Sequence, residues 1–416
     1  MWGIAHVPTA TLPPARASRA LPLFDAVDAP ARPVVESVVA PAAAPPAEAA
    51  PRVRHRWMPE RVLFTRDALA ERWGRQIWER VIALGLPAEA LKGNRLPSVD
   101  GGDERAVYRR AKRTLAVVNA PAGQLKLSPI PPSADWQFHL AQGCPAHCHY
   151  CYLAGSLAGP PLVRAYGNLD AILGNLARYA DQRTGQRAAT EWGEGGEALT
   201  TFEASCYTDP LALEHLTGSL GAAVGRFGTD AALDRARLRW TTKFSSPALV
   251  APLLGLPHHG RTRARVSLNA DPVARRFEGG TATVAERLAG AAQLAGAGYP
   301  VGLVLAPIMP VEGWQADYAA MLDQARLAIP PEALAPGTRL TVECITHRYT
   351  EGSREVLRGW YPNTALEMDD SKRAAKRTKF GNAKFVYPRD VMAELKGWFA
   401  EAVRARWPEA AVLYWT

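Results

Sequence analysis

Gly143-Cys144-Pro145-Ala146-His147-Cys148-His149-Tyr150-Cys151-Tyr152 is the stretch on which the reading of this chain turns. Three of the five cysteines fall within eight positions, spaced C-x3-C-x2-C. Thiolates so placed can hold three corners of a four-iron cluster and leave the fourth iron without a protein ligand. An open iron is what a small molecule needs if it is to chelate the cluster through its own amino and carboxylate groups. Cys144, Cys148 and Cys151 with His147 or His149 could also make a Cys3His zinc site. Zinc modules usually use two separated C-x2-C pairs, and no second pair exists here. The iron–sulfur cluster is the expected occupant, with zinc and free buried thiols as the alternatives.

Outward from this loop the chain alternates. The strand candidate Trp136–Leu140 runs directly into the cysteines. Further strand candidates are Leu199–Ala204, Arg237–Thr242, Arg263–Leu268, Val301–Ala306 and Leu340–Ile345, separated by helical patterns such as Leu169–Tyr179, Ala212–Arg226, Thr283–Ala297 and Trp314–Ala328. Alternating β and α over residues 131–355 predicts an α/β fold with a parallel sheet, open or closed into a barrel. In such folds the chemistry sits at the C-terminal ends of the strands, where the cysteine loop already lies.

The flanks differ in composition. Between Ala31 and Pro51, thirteen of twenty-one residues are Ala or Pro, so residues 1–56 are expected to form a tail without a core of its own. Order is expected from Trp57, with helical patterns at Arg66–Leu84 and Glu104–Val117 and an extended Leu125–Pro132. Residues 57–130 read as a small accessory domain. At the other end, residues 356–416 form a basic C-terminal region. Lys372 to Arg389 holds seven basic residues and no acidic one. Within it, Phe380-Gly381-Asn382-Ala383-Lys384-Phe385-Val386-Tyr387-Pro388 places a Gly-Asn turn between aromatic-bearing segments, a hairpin pattern. A final helix is expected from Asp390 to Arg404.

Composition narrows the setting. Of 416 residues, 48% are hydrophobic and 21% charged, a globular mixture. The longest apolar stretch, Val301 to Met309, is far short of a membrane span. Met1-Trp2-Gly3-Ile4-Ala5-His6 shows no basic region leading into an apolar one, so no secretory signal is expected. Five cysteines are too few for a disulfide scaffold, and their crowding points to a reducing, cytoplasmic compartment. The net charge of +9 comes from 49 basic and 40 acidic residues, with only nine lysines. That excess does not by itself establish a polyanionic partner.

The cysteine spacing, the aromatic before the third cysteine and the strand–loop–helix context resemble the radical S-adenosylmethionine superfamily. More widely spread segments resemble the spore photoproduct lyase family. They are Val163-Arg164-Ala165-Tyr166-Gly167-Asn168-Leu169-Asp170, Phe202-Glu203-Ala204-Ser205-Cys206 with Asp209, Thr242-Lys243, Val266-Ser267-Leu268-Asn269 and Gly298-Tyr299 through Ala306-Pro307. Gly313-Trp314, His347-Arg348, Pro59-Glu60-Arg61-Val62-Leu63 and Tyr108-Arg109-Arg110-Ala111-Lys112 add to them. The resemblance spans residues 57–416.

The resemblance implies a partial (β/α)6 barrel that binds a [4Fe-4S] cluster through Cys144, Cys148 and Cys151, together with S-adenosylmethionine. In that family a 5′-deoxyadenosyl radical removes hydrogen from the methylene-bridged thymine dimer of UV-damaged DNA. By the same resemblance Cys206 returns a hydrogen atom to the product radical, and Tyr150 and Tyr152 re-reduce the thiyl. Tyr150 would also cover the adenine, and Thr208, Lys243, Ser267, Asn269 and the backbone at Ala306 would surround the cofactor. Lys384, Tyr387 and Arg389 are the residues expected on a DNA-entering hairpin. Expected partners are damaged DNA and an electron donor such as flavodoxin or ferredoxin, with no membrane and a monomeric chain. A different lesion or nucleobase as substrate, and a non-catalytic iron–sulfur or zinc nucleic-acid-binding protein, are the competing functions. Cys344, inside a strand candidate, reads as core. Gly195-Gly196-Glu197 spells a methionyl-binding motif of other radical enzymes, but precedes its strand and reads as a surface loop.

Overall fold

Side-chain alternation builds the central sheet. In Thr262–Leu268 the apolar Ala264, Val266 and Leu268 share one face, while Arg263, Arg265 and Ser267 share the other, and all are buried. Six such strands run parallel and in chain order. They are β1 (Ala134–Phe138), β2 (Thr200–Ala204), β3 (Ala236–Thr242), β4 (Thr262–Leu268), β5 (Val301–Ile308) and β6 (Thr341–Thr346). Ser128–Ile130 flanks β1 antiparallel, and Ala411–Trp415 flanks β6 parallel. This is the computed structural model of the chain, and it describes residues 55–99, 101–156, 159–182, 199–377 and 383–416. The expected tail up to residue 54, Gly195-Gly196-Glu197 and the Gly381-Asn382 turn lie outside the described residues. All described residues belong to one compact unit, Arg52–Thr416.

The sheet is curled into a half-barrel. A flat sheet would hold Arg239 on β3 and Glu343 on β6 about 14 Å apart, three strand spacings of about 4.8 Å. Their side chains instead form a buried ion pair. Arg265 on β4 reaches Glu343 at 2.7 Å and also pairs with Glu203 on β2. Tyr414, on the flanking strand after β6, donates to Glu343 Oε2 at 2.6 Å. The concave face therefore carries two arginines and two glutamates that pair with one another. Helices cover the convex face, including Pro210–Thr217, Ser219–Thr229, Val284–Gly296 and Trp314–Ala328. Val284–Gly296 starts at a reciprocal cap in which Thr283 Oγ1 accepts from Glu286 N at 3.2 Å and Glu286 Oε2 accepts from Thr283 N at 2.8 Å.

A second sheet of five strands has the order Ala88–Ala90, Arg61–Phe64, Thr114–Val118, Val163–Tyr166 and Ala141–Gln142, with only the last antiparallel. Two of its strands come from beyond residue 130. The expected helix Glu104–Val117 ends at Lys112, and Thr114–Val118 is a central strand of this sheet. Leu115-Ala116-Val117 are fully buried between two parallel neighbours, and tertiary pairing overrides the helical spacing. The pattern Arg66–Leu84 divides into Arg66–Ala70 and Arg72–Ala83 at the extended Glu71. Ala212–Arg226 divides at Gly218, whose φ of +64° only glycine adopts freely. At the C-terminal end, Ala374–Arg377 and Ala383–Val386 pair antiparallel, and Tyr349–Thr350 joins them. The last helix is Arg389–Arg406. Among the described residues, no helix is long and apolar enough to cross a membrane.

Candidate active site at the strand ends

The cysteine loop leaves β1 through Gly143, whose φ is +82° and where an added Cβ would lie 2.3 Å from the Leu162 carbonyl oxygen. Its middle is pinned by a short antiparallel pairing of His147 and Cys148 with Gly279 and Glu278. From outside, Lys112 Nζ donates to the carbonyls of Cys144 and Ala146, and Tyr108 OH meets His147 Nδ1 at 2.9 Å. Tyr361 stacks on the His149 ring at 4.2 Å and hydrogen-bonds Tyr108 OH. Lys112 thus holds the loop backbone, and Tyr108 and Tyr361 hold its two histidines.

Burial pushes the Cys144 thiol up to about 12, against the opposing pull of Lys112, and pushes Cys148 upward as well. Binding a metal would take these protons off, because a thiol ligates as the thiolate. Cys144, Cys148 and Cys151 are free of disulfides. Among the described residues, no three His, Cys, Asp or Glu side chains converge closely enough to hold one ion, as a Cys3His zinc site would require. A four-iron cluster takes each thiolate on a separate iron.

Three of the expected cofactor residues converge on one carboxylate that the sequence pattern does not single out, Glu278. Tyr150 OH donates to Glu278 Oε1, Lys243 Nζ lies 3.0 Å from the same oxygen, and Asn269 Nδ2 donates to it at 3.3 Å. Lys243 Nζ also donates to the Ala306 carbonyl at 2.9 Å, and Asn269 Nδ2 to the Pro307 carbonyl at 2.9 Å. The other Glu278 oxygen faces Arg287 Nη2 at 2.6 Å, and Arg287 Nη1 donates to the Ser267 carbonyl at 3.0 Å. Burial alone would raise the Glu278 pKa. Arg287, Lys243 and the Tyr150 hydroxyl outweigh it and hold the carboxyl at about 2. Lys243 Nζ also stands 5.6 Å from the Tyr150 ring centre. Thus Lys243, Ser267, Asn269 and Ala306, on or just past the ends of three strands, share one buried charge network with the loop that bears Cys148.

Cys206 follows β2 at the same rim. The residue before it, Ser205, has φ +61°, a left-handed conformation unusual for serine. Ser205 N donates to the Phe138 carbonyl at 2.7 Å, and Ser205 Oγ accepts from Leu140 N at 3.1 Å. The turn that presents Cys206 is therefore bolted to β1, the strand that feeds the cysteine loop. Burial and then Glu203 push the Cys206 thiol well above its ordinary range, so it stays S–H at neutral pH. Thr208 Oγ1 donates to the Gly143 carbonyl at 2.6 Å, tying the same turn to the loop entrance. Asp209 caps the next helix and accepts from Thr242 Oγ1 at 2.8 Å and Lys243 N at 2.7 Å. Tyr150 is half-buried, whereas Tyr152 is 64% exposed. Cys344 is buried in the core beside β5.

Of the residues expected on a hairpin only Lys384 lies on the strand pair; Tyr387 follows the strand and Arg389 opens the last helix, because the strand ends at Val386, ahead of Pro388. Lys384 lies opposite Thr350 and Lys376, and burial, Arg348 and Lys376 lower its pKa to about 8. The Arg373 guanidinium sits 3.9 Å from the Tyr387 ring centre. Arg389 is exposed at the first position of the last helix. No hydrogen bond or ion pair joins these three to the Glu278 network among the described residues.

Comparison with known proteins fits this arrangement. The family model described as spore photoproduct lyase matches residues 57–416. A spore photoproduct lyase of Geobacillus sp. (strain Y412MC61) is 35% identical over 361 residues, covering 86% of this chain and 99% of the relative. That of Bacillus subtilis (strain 168) is 32% identical over the same shares. A solved spore photoproduct lyase complexed with dinucleoside spore photoproduct superposes with a TM-score of 0.76 at 34% identity, covering 87% of this chain and all of that one. A mutant of it with bound AdoMet and the same dinucleoside superposes equally well. A family match over the whole described unit, with relatives above 30% identity along nearly their full length, places this chain in the spore photoproduct lyase family.

Proposed function

We infer that this chain is a radical S-adenosylmethionine lyase that reverts the methylene-bridged thymine dimer of UV-damaged DNA. The observation that carries the reading is the placement, at one rim of one sheet, of a three-cysteine loop after β1 and a separate protonated thiol after β2. A [4Fe-4S] cluster on Cys144, Cys148 and Cys151, with S-adenosylmethionine on its open iron, supplies a 5′-deoxyadenosyl radical when bound. Lys243, Ser267, Asn269, Thr208 and the Ala306 backbone are the groups we assign to the cofactor, with Tyr150 against its adenine. Glu278 fixes Lys243 and Tyr150, so the cofactor meets groups already in position.

Cys206 donates a hydrogen atom to the thymine radical left after the bridge opens. The S–H bond breaks, a C–H bond forms, and a thiyl remains. The raised pKa serves this step, because a thiolate has no hydrogen atom to give. Tyr150 and Tyr152 return an electron and a proton to the thiyl. Their different placements divide that path, with Tyr150 tied to Glu278 and Tyr152 facing solvent.

The architecture we assign is a partial (β/α)6 barrel over 131–355, an accessory domain over 57–130 and a basic DNA-contact region over 356–416. Lys384, Tyr387 and Arg389 contact the duplex while the lesion is turned out of the stack, a step such chemistry requires. The enzyme works as a cytoplasmic monomer reduced by a soluble electron carrier. Anaerobic reconstitution with iron, sulfide and S-adenosylmethionine, followed by incubation with the dinucleotide photoproduct, tests the reading. Thymine and 5′-deoxyadenosine are the expected products, and an unchanged photoproduct beside a full cluster would refute it.

A further inference from the structure

We propose that the exposed arginine face of helix Glu104–Lys112 is the docking surface for an acidic one-electron carrier protein that reduces the centre held by Cys144, Cys148 and Cys151. The proposal rests on the iron–sulfur reading above. Arg105 and Arg109 lie four residues apart on this helix, Arg113 follows at the same spacing, and all three are exposed. Arg113 pairs with Glu60 at 2.8 Å. Arg105 and Arg109 make no ion pair or side-chain hydrogen bond among the described residues. Like charges stacked along one helix face repel one another. Arg105 and Arg109 are thus the unneutralised part of a positive stripe.

The adjoining face of the same helix, at Tyr108 and Lys112, is buried, and it touches the cysteine loop. Lys112 Nζ donates to the carbonyls of Cys144 and Ala146, and Tyr108 OH meets His147 Nδ1 at 2.9 Å. Tyr108 also stacks on Trp360 at 4.8 Å and bonds Tyr361, whose ring lies on His149 at 4.2 Å. Through Lys112 and Tyr108, one helix links the charged stripe to the loop backbone and to His147. A partner seated on Arg105 and Arg109 stands one helix from the centre. Arg105 and Arg109 and two of the loop's contacts, Tyr108 and Lys112, are built on the same nine residues.

Each cofactor cleavage consumes one electron, which a reductant must supply. In the proposed step the reduced carrier loses one electron and the centre gains it, with no atom transferred. A low-potential carrier of this kind, a flavodoxin- or ferredoxin-class protein with an acidic face, matches the stripe in charge. Complementary charge speeds encounter and makes it salt-sensitive. Duplex DNA is the competing polyanion. Its assigned contacts, Lys384, Tyr387 and Arg389, lie on strand Ala383–Val386, just after it and at the start of the last helix, which leaves this face for a different partner.

The test uses the full chain and oxidised bacterial flavodoxin as the probe. Binding kinetics are measured at low and high salt for wild type, Arg105→Glu/Arg109→Glu and the milder Arg105→Gln/Arg109→Gln. Circular dichroism and the thermal midpoint verify the fold of each variant. The reversal should slow association by about tenfold or more at low salt, the glutamine pair by less, and the three should converge at high salt. Duplex affinity and dithionite-driven cofactor cleavage should stay at wild-type values, while flavodoxin-driven cleavage falls. Equal flavodoxin binding by all three would overturn the proposal. So would a loss of duplex affinity with flavodoxin binding retained, which would give the stripe to phosphate. Failure of dithionite to drive cleavage in the wild type would instead overturn the function on which the docking rests.

Discussion

Replacing Glu278 with glutamine removes the charge at the centre of the site while keeping its shape. In the folded chain the carboxyl is held at about 2, against an ordinary glutamate value of 4.5. At 1.36 kcal/mol per unit, that difference is worth about 3 kcal/mol of folding stability at neutral pH. The side chain is fully buried, so solvent does not screen it, and the figure agrees with the roughly 3–5 kcal/mol lost when one partner of a buried pair is removed. Because the folded-state pKa is depressed, the contribution is complete above 4.5 and is lost as pH falls through 2. Urea unfolding of the metal-free chain should therefore show Glu278→Gln weaker than wild type by about 3 kcal/mol at pH 7 and by about 1.4 kcal/mol at pH 3. A difference below about 1 kcal/mol at pH 7, or one that does not shrink at pH 3, would refute the ion-pair reasoning.

Cys148→Ala should abolish the brown colour and the iron of anaerobically purified protein, and zinc in place of iron in the wild type would contradict the cluster. Cys206→Ala should keep its iron and still form 5′-deoxyadenosine. Its product should shift from thymine to adducts with solutes such as dithionite, measured by liquid chromatography with mass detection. Lys384→Ala/Arg389→Ala should bind duplex DNA more weakly, with the salt slope reduced by about 0.9 for each phosphate that is no longer neutralised. Equal affinity of wild type and double variant across the titration would make that stretch a solvated face.

The parallel strands were legible because each is short, apolar on one face and bounded by turns. Val301–Ala306 and Leu340–Ile345 differ from the observed β5 and β6 by at most two residues at an end. The strand Thr114–Val118 was not legible, since its partners lie about 50 residues away on both sides and only pairing selects strand over helix. The cysteine loop announced itself by spacing, which is local. Glu278 did not, because its partners Tyr150, Lys243, Asn269 and Arg287 come from four separate elements. The one available signal was an acidic residue followed by Gly279-Gly280 just after a strand and a short helix. Arg239 and Arg265 read as interruptions in apolar strands. Only the curl of the sheet brings Glu203 and Glu343 to them.

The central claim is that a thiol outside the cluster returns hydrogen to the opened dimer, and solvent labelling tests it most directly. The Cys206 S–H exchanges with water, whereas carbon-bound hydrogens do not. Reconstituted enzyme given the dinucleoside photoproduct in D2O should release thymidine that carries deuterium in its methyl group, and Cys206→Ala should release little thymidine at all. Unlabelled thymidine from the wild type, formed at the same rate by Cys206→Ala, would contradict the account.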